Sequence, residues 1–137
     1  PRALNSLNQL KNSGFPLAIC TNKPEKPAKR ILEGLKIENL FQVITGGDTF
    51  NFRKPDPRHL IKTIENTSRD KNFAIMIGDS ENDISPAIKI KIPSIAVSFG
   101  YSNKKIEDLK SDLILNDFND LYKKIIFLCS KHFNIKI

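Results

Sequence analysis

Apolar residues along the chain follow two spacings, and each spacing predicts a different kind of element. Short continuous apolar runs bounded by polar, glycine or proline residues are typical of buried strands. Such runs predict strands at about 16–21, 42–45, 73–77 running into Gly78, 94–98 and 112–115. Between these runs the apolar residues recur at helical spacing, so strands and helices alternate along the chain.

The helical segments carry apolar residues three or four positions apart, as a helix that buries one face requires. Their apolar positions are Leu4, Leu7 and Leu10 before Gly14; Ala28, Ile31, Leu32 and Leu35; and Leu60, Ile61 and Ile64. A further helix is predicted at 83–91, with Pro86 in its first turn. The alternation predicts an α/β fold in which helices flank a Rossmann-like parallel sheet through right-handed crossovers. The 137 residues fit one domain.

The composition of the chain indicates which classes of partner and which cell compartment to expect. The 22 Lys and Arg against 15 Asp and Glu give a net charge of +7. Because the basic residues are scattered, we interpret the charge as a solvated surface and expect no nucleic-acid partner. The apolar stretches are much shorter than the roughly 20 residues of a membrane span, so we expect no membrane partner. Cys20 and Cys129 fit core positions better than a disulfide, which favours a reducing cytoplasm.

The segment Gly-Asp-Ser-Glu-Asn-Asp at 78–83 directly follows an apolar run. Because α/β proteins bind ligands outside the carboxyl ends of their strands, Asp79 is a candidate oxygen ligand for Mg²⁺. Alternatively Asp79 caps the following helix, although Ser80 or Asn82 could do so equally well. Asp83 could orient Lys54, accept hydrogen bonds from loop amides or favour the helix N-terminus.

Two polar segments lie upstream of this one. Thr21 and Asn22 follow the first predicted strand and offer neutral donors for phosphate oxygens, although a Thr-Asn pair close to Pro24 is also a routine turn signal. Lys54, beside Pro55, could offset the negative charge of a transferring phosphoryl group, or could be an exposed loop lysine. No specific role is assigned to other basic residues, for which solvated or core-edge positions are expected: Arg53, Arg58, His59 and His132.

The order of these segments resembles the haloacid dehalogenase-like hydrolases, and most of all their phosphoglycolate phosphatase branch. The resemblance covers about 4–121. The segments that carry it are Thr-Asn-Lys-Pro at 21–24, Gly-Gly-Asp at 46–48, Lys-Pro-Asp-Pro at 54–57, the 78–83 segment, and Val-Ser-Phe-Gly-Tyr at 97–101. As a set these motifs are specific for the superfamily and weak for the substrate.

The resemblance implies a Mg²⁺-dependent hydrolase of small phosphorylated metabolites such as 2-phosphoglycolate. In the family an aspartate attacks phosphorus, a second aspartate two residues later acts as general acid and base, and water then cleaves the aspartyl-phosphate. Carried over to this chain, Thr21 would bind phosphate with Asn22 beside it, and Lys54 would stabilise the charge of nucleophile and phosphate. Asp79 would bind Mg²⁺, and Asp83 would support the acidic loop.

The departure from the family lies at the start of the chain. The sequence opens at Pro1, its first aspartate is Asp48, and it contains no Asp-x-Asp pair. We therefore interpret residues 1–137 as a partial core domain that lacks the first central strand, which carries both aspartates, and the helical cap. The chain alone is expected to be inactive and, with a central strand missing, marginally stable or rearranged. Lys91 stands where the family commonly has a helix-ending glycine, which affects only the local cap.

Two other classes of function stay open. The incomplete site could bind phosphate without hydrolysing an ester, as a regulatory module does; an intact Asp-x-Asp upstream would argue against this. Nucleic-acid binding through the +7 charge would show a steep salt dependence. The sequence favours the phosphatase over both and gives no indication of the oligomeric state.

Overall fold

Strands and helices alternate along the chain in the computed structural model, which describes residues 2–68, 73–100 and 105–134. The strands are β1 (Ala18–Cys20), β2 (Val43–Thr45), β3 (Met76–Gly78), β4 (Ser94–Val97) and β5 (Leu113–Leu115). The helices are α1 (Arg2–Asn12), α2 (Glu25–Gly34), α3 (Pro57–Glu65), α4 (Glu81–Lys89) and α5 (Leu121–Phe133). Short 3₁₀ turns lie at Glu38–Leu40, Ile106–Leu109 and Phe118–Asp120.

The strands are parallel and form two sheets. β1 pairs with β2, with Ile19 opposite Ile44. β4 is the middle strand of the second sheet, where Ile95 lies opposite Ile77 of β3 and Leu113 of β5. The predicted α/β class, with parallel strands flanked by helices, is confirmed. β1 and β3 each lie at the end of their own sheet. The resemblance places the missing central strand between these two strands.

Most of the core lies on the second sheet, where α1 and α5 cover β4 and β5. Its fully or nearly buried members are Leu10, Ile95, Leu115, Leu121, Ile125, Leu128 and Cys129. A second cluster lies between α3, α4 and β3 and comprises Leu60, Ile64, Met76, Ala87 and Ile92. Because α3 packs against both β1 and α4, it connects the first sheet to the second.

Several predicted boundaries were too wide, since the apolar runs extend past the hydrogen-bonded strands. Phe73, at the start of one run, is exposed, and the strand begins only at Met76. Helix α4 begins at Glu81 rather than at Asp83, because Ser80 is its N-cap. Pro86 therefore lies in the second turn of α4, not in the first.

Some apolar positions that the helical pattern placed in the core are exposed. Leu4, Ile31 and Leu35 are 41%, 49% and 62% exposed. Leu4 lies in α1 and Ile31 in α2, and Leu35 is the C-cap of α2. Only Ala28 of α2 is buried, so the apolar face of this helix is only partly covered.

The two cysteines differ in burial, and both are free thiols. Cys129 is buried as predicted, whereas Cys20 is only half-buried. Burial raises the pKa of each thiol above its ordinary value. Within the part of the chain that the structure describes, no helix is both long and apolar enough to cross a membrane.

Candidate active site

Lys54 is the centre of the polar groups at the carboxyl ends of the strands. It is only 7% exposed, so the alternative of an exposed loop lysine is wrong. Its ammonium group forms an ion pair with Oδ1 of Asp83. Its carbonyl oxygen accepts a hydrogen bond of 2.8 Å from Nδ2 of Asn22, and its amide donates to Nδ1 of His59 at 3.2 Å. Both the backbone and the side chain of Lys54 are thereby held in place.

Asp83 performs all three of the actions suggested for it from the sequence. It lies in the first turn of α4, where its Oδ1 contacts Lys54. Its Oδ2 accepts hydrogen bonds from the amides of Asp79 at 3.1 Å and Ser80 at 3.3 Å. A Cβ atom on Gly78 would lie 2.3 Å from the Cβ of Asp83, so this close approach requires a glycine.

Asp79 follows β3 directly and is half-buried. It does not cap α4, because the cap is Ser80. A Cβ atom on Gly100 would lie 2.1 Å from the Cβ of Asp79, so the turn after β4 closes on this carboxylate through a glycine. Tyr101, the last residue of the 97–101 segment, lies outside the described residues.

The carboxylate of Asp79 could supply one oxygen ligand to a magnesium ion. Among the described residues no group of three or more His, Cys, Asp or Glu could hold a metal. Mg²⁺ does not need such a group, because it is usually bound through one or two carboxylates together with water and substrate phosphate. The half-buried carboxylate of Asp79, at the carboxyl edge of the sheet, fits that pattern.

Thr21 and Asn22 extend the first sheet towards Lys54. The Thr21 amide donates to the carbonyl of Thr45 at 3.1 Å, one residue beyond β1. The Thr21 hydroxyl accepts from the Lys23 amide at 3.2 Å, which is the turn suggested as the alternative, and keeps its own proton to donate. The Asn22 amide nitrogen, expected beside phosphate, instead donates to Lys54. Its Oδ1 is buried with no hydrogen-bond partner among the described residues.

The Gly46-Gly47 pair lets the loops after β1 and β2 touch through their backbones. A Cβ atom on Gly46 would lie 2.3 Å from the amide nitrogen of Glu25, and one on Gly47 would lie 2.2 Å from the carbonyl oxygen of Asn22. Side chains at these positions would force the loops apart. The next residue, Asp48, accepts a hydrogen bond of 2.8 Å from the Glu25 amide and completes the contact.

His59 is a residue of the site that was not predicted from the sequence. A solvated or core-edge position was expected, and the side chain is fully buried, at 0% exposure. Its Nε2 lies 3.2 Å from the hydroxyl of Thr45, in addition to the bond from Lys54. The helical spacing offered a signal, since His59 and Thr63 are four residues apart and both belong to the buried face of α3.

Two further carboxylates at this edge are held by local bonds. Arg58 donates hydrogen bonds to Asp56, the N-cap of α3, and lowers the pKa of that carboxyl to about 2. Glu25 accepts from the Thr49 hydroxyl at 2.7 Å, a bond that lowers the pKa of Glu25. A cavity of about 500 Å³ lies beside Glu25, with Lys26, Pro27, Asp48 and Thr49 as its other lining residues.

The arrangement thus gathers Asn22, Lys54, Asp79 and Asp83 through direct hydrogen bonds, with Thr21 adjacent in the chain. The family model described as haloacid dehalogenase-like hydrolase matches residues 1–97. The chain belongs to the haloacid dehalogenase-like hydrolases. The resemblance inferred from the motifs is therefore confirmed, whereas the catalytic role of each residue stays a prediction.

Similar proteins within this family belong to the phosphoglycolate phosphatase branch. The chain is 45% identical over 118 residues to a phosphoglycolate phosphatase of Agrobacterium fabrum, covering 86% of this chain and 51% of that protein. A solved structure titled a predicted phosphoglycolate phosphatase, from Haemophilus somnus, matches with a TM-score of 0.85 at 32% identity, over 90% of this chain and 56% of that one.

Solved structures of lower sequence identity share the same fold. A haloacid dehalogenase phosphatase from Thermococcus onnurineus matches with a TM-score of 0.78 at 23% identity, over 91% of this chain and 57% of that one. At this identity the match supports the fold alone. The chain spans about half the length of the curated relatives it matches, 51% of the Agrobacterium fabrum protein.

Proposed function

We propose that this chain is the C-terminal part of the core domain of a phosphatase that hydrolyses a small phosphomonoester, with 2-phosphoglycolate as the first candidate substrate. The observation that carries the proposal is the contact of Lys54 with both Asn22 and Asp83. This contact brings polar side chains from the ends of both sheets to one point. The name shared by the relatives supports the choice of substrate.

Each side chain then has a chemical task suited to its surroundings. The hydroxyl of Thr21 donates a hydrogen bond to a phosphate oxygen. The ammonium of Lys54 offsets the negative charge that gathers around phosphorus as the ester bond breaks. Asp83 holds that ammonium in place and, through its bonds to the amides of Asp79 and Ser80, fixes the loop that follows β3.

Mg²⁺ is the metal we propose for the site, with Asp79 as its ligand from this chain. When bound, the ion supplies positive charge that neutralises the phosphate oxygens. The fit rests on the half-buried carboxylate of Asp79, whose backbone amide donates to Asp83, the partner of the Lys54 ammonium. Charges of both signs in one place suit a phosphate dianion together with a divalent cation.

We propose that the nucleophile comes from outside residues 1–137. No aspartate precedes Asp48 in the sequence, and the hydrogen-bond partner of the Thr21 hydroxyl is the Lys23 amide, which cannot act as a base. A carboxylate from the rest of the parent protein would attack phosphorus and displace the alcohol of the ester. Water would then cleave the resulting acyl phosphate, which releases phosphate and restores the carboxylate. The 137-residue chain by itself is then expected to be inactive.

We propose a cytoplasmic location, supported by the free thiols of Cys20 and Cys129. The partner is proposed to be a small phosphorylated metabolite. Nucleic acid and membrane surfaces are not proposed as partners, because the basic residues are scattered along the sequence.

The test is phosphate release from 2-phosphoglycolate by the full-length protein that the gene encodes, with and without Mg²⁺. We expect Mg²⁺-dependent turnover that falls at least about 100-fold in Lys54→Met and Asp79→Asn. Lys62→Met is the matched control, because Lys62 forms an exposed ion pair with Glu65 on α3. Binding of phosphate without turnover in the full-length protein would instead favour the regulatory module. Reading the gene upstream of Pro1 for an Asp-x-Asp codon pair separates the same two outcomes.

A further inference from the structure

We propose that His59 is a positioning residue for the reaction: as a neutral imidazole protonated on Nε2, it holds the backbone amide of Lys54 and so sets where the lysine ammonium lies. The inference rests on the phosphatase function proposed above, which gives Lys54 its task. Asn22 holds the other side of the same residue, since it donates to the Lys54 carbonyl at 2.8 Å.

The hydrogen bonds around His59 define which ring nitrogen carries the proton. The Lys54 amide can only donate, so Nδ1, at 3.2 Å, must accept and carries no proton. In the neutral ring the proton is then on Nε2, which lies 3.2 Å from the Thr45 hydroxyl. Thr45 in turn lies 2.7 Å from the Thr63 hydroxyl, which donates to the carbonyl of His59 at 2.8 Å.

These bonds fix the ring of His59 from both sides. The Thr45 hydroxyl accepts from Nε2, and its own proton is directed at the Thr63 hydroxyl at 2.7 Å or the Ile19 carbonyl at 3.4 Å. Thr63 lies within hydrogen-bond distance of the His59 carbonyl. The three side chains are at most 2% exposed, so solvent does not compete for these bonds. The ring of His59 is therefore fixed in one orientation, with Nδ1 directed at the Lys54 amide.

The charges around His59 favour the neutral ring. Burial and the nearby positive charge of Lys54 lower the pKa of His59, and the carboxylate of Asp56 acts weakly in the other direction. Cys20 of β1 also contacts Thr63 and Thr45 and is a neutral thiol, because burial raises its pKa. A protonated ring would lose the bond from the Lys54 amide and place a second cation beside the lysine.

Two amide replacements separate the positioning role from a packing role. The Oδ1 of an asparagine side chain reaches the place of Nδ1, so His59→Asn can still accept from the Lys54 amide. The longer glutamine places its amide near Nε2, so His59→Gln keeps the contact with Thr45 and leaves the Lys54 amide without its acceptor. Both are polar, and both fill part of the same buried space.

In the full-length protein with 2-phosphoglycolate and Mg²⁺, we expect His59→Gln to lower kcat about 10- to 100-fold with KM little changed, since a small displacement of a catalytic group has effects of this size. His59→Asn should recover most of that loss. His132→Gln, on α5 and 3.7 Å from Asp112, is the control for the loss of a histidine. Equal losses in both His59 variants, or no loss in either, would overturn the proposal.

A second measurement needs neither turnover nor a variant. Long-range ¹H–¹⁵N correlation spectra of the full-length protein report which ring nitrogen of each histidine is protonated. We expect the Nε2-protonated form of His59 at neutral pH. The Nδ1-protonated or cationic form would refute the inference even if the protein is an active phosphatase, whereas an inactive protein with the expected form would count against the proposed function alone.

Discussion

The two sheets of this molecule differ in how completely their strands are buried. In the three-stranded sheet, Ser94, Ile95 and Ala96 of β4 are at most 1% exposed. Ile95 belongs to the apolar cluster of α1 and α5, and Ala96 packs in another cluster with Ile84 of α4 and Leu109. In the two-stranded sheet, Ala18 of β1 is exposed and Ile19 is half-buried. The first region has a core of its own, and the second is held to it by α3 and by polar contacts.

The polar contacts that connect the two sheets are also the candidate site. Asn22 follows β1, Lys54 lies in the loop after β2, and Asp83 follows β3; hydrogen bonds and one ion pair join them. A buried ion pair contributes little net free energy unless its geometry is good. We infer that this one serves the reaction, and that the two-stranded sheet depends on it for its position.

Removing the ion pair should have the largest effect on stability. Lys54→Met leaves the carboxylate of Asp83 buried and unpaired, and should lower the free energy of unfolding by about 3 to 5 kcal/mol in urea titrations. The side chains of this pair are 7% and 12% exposed. Those of Lys62 and Glu65 are 52% and 50% exposed, so Lys62→Met should cost less than about 1 kcal/mol. Similar losses in the two variants would show that the pair does not join the sheets.

Matched core truncations test the difference in burial directly. Ile95→Ala removes a side chain that is 0% exposed and should cost about 2 to 5 kcal/mol. Ile19→Ala, in the half-buried β1, should cost less than half of the loss measured for Ile95→Ala. Chemical denaturation of both variants decides the comparison. If Ile19→Ala lowers the free energy of unfolding as much as Ile95→Ala does, the two-stranded sheet has a buried core of its own, which would contradict the difference described here.

Lowering the pH should reduce the free energy of unfolding through the protonation of His59 in the unfolded chain. Its pKa is lowered in the folded state from an unfolded value near 6.5, so the unfolded chain binds more protons below that pH. The stabilisation is complete above about pH 6.5 and is lost as the pH falls towards the folded pKa. Stability measured from pH 7 to 5 should fall less steeply in His59→Asn than in the wild type. An unchanged slope would mean that the buried ring does not titrate as described.

The smallest expected effect concerns Lys91, which follows α4 with φ +61°. Glycine adopts this left-handed conformation without the cost that a side chain incurs, so Lys91→Gly should raise stability by up to about 1 kcal/mol. Lys89, the last residue of α4, is the control. There a glycine should lower stability by about 1 kcal/mol. A destabilising Lys91→Gly would contradict the backbone conformation described.

The sequence predicted the elements better than the contacts between them. Local apolar runs indicated every strand among the described residues, and motif order indicated Lys54, Asp79 and Asp83, because strand ends bring such residues to one edge. The division into two sheets lies where the resemblance implied a missing central strand. The burial of His59 was not predictable in the same way, because it depends on what packs against the ring from elsewhere in the chain, and a local pattern does not contain that information.

A crystal structure of the full-length protein with Mg²⁺ and orthovanadate would test the central claim most directly. Our account places the vanadate at the carboxyl edge where the two sheets meet, with its oxygens in contact with the Thr21 hydroxyl and the Lys54 ammonium, and Mg²⁺ on Asp79. Asp83 should still contact Lys54, as it does without the ligand. Vanadate bound away from Thr21 and Lys54, with Asp79 free of metal, would contradict the account.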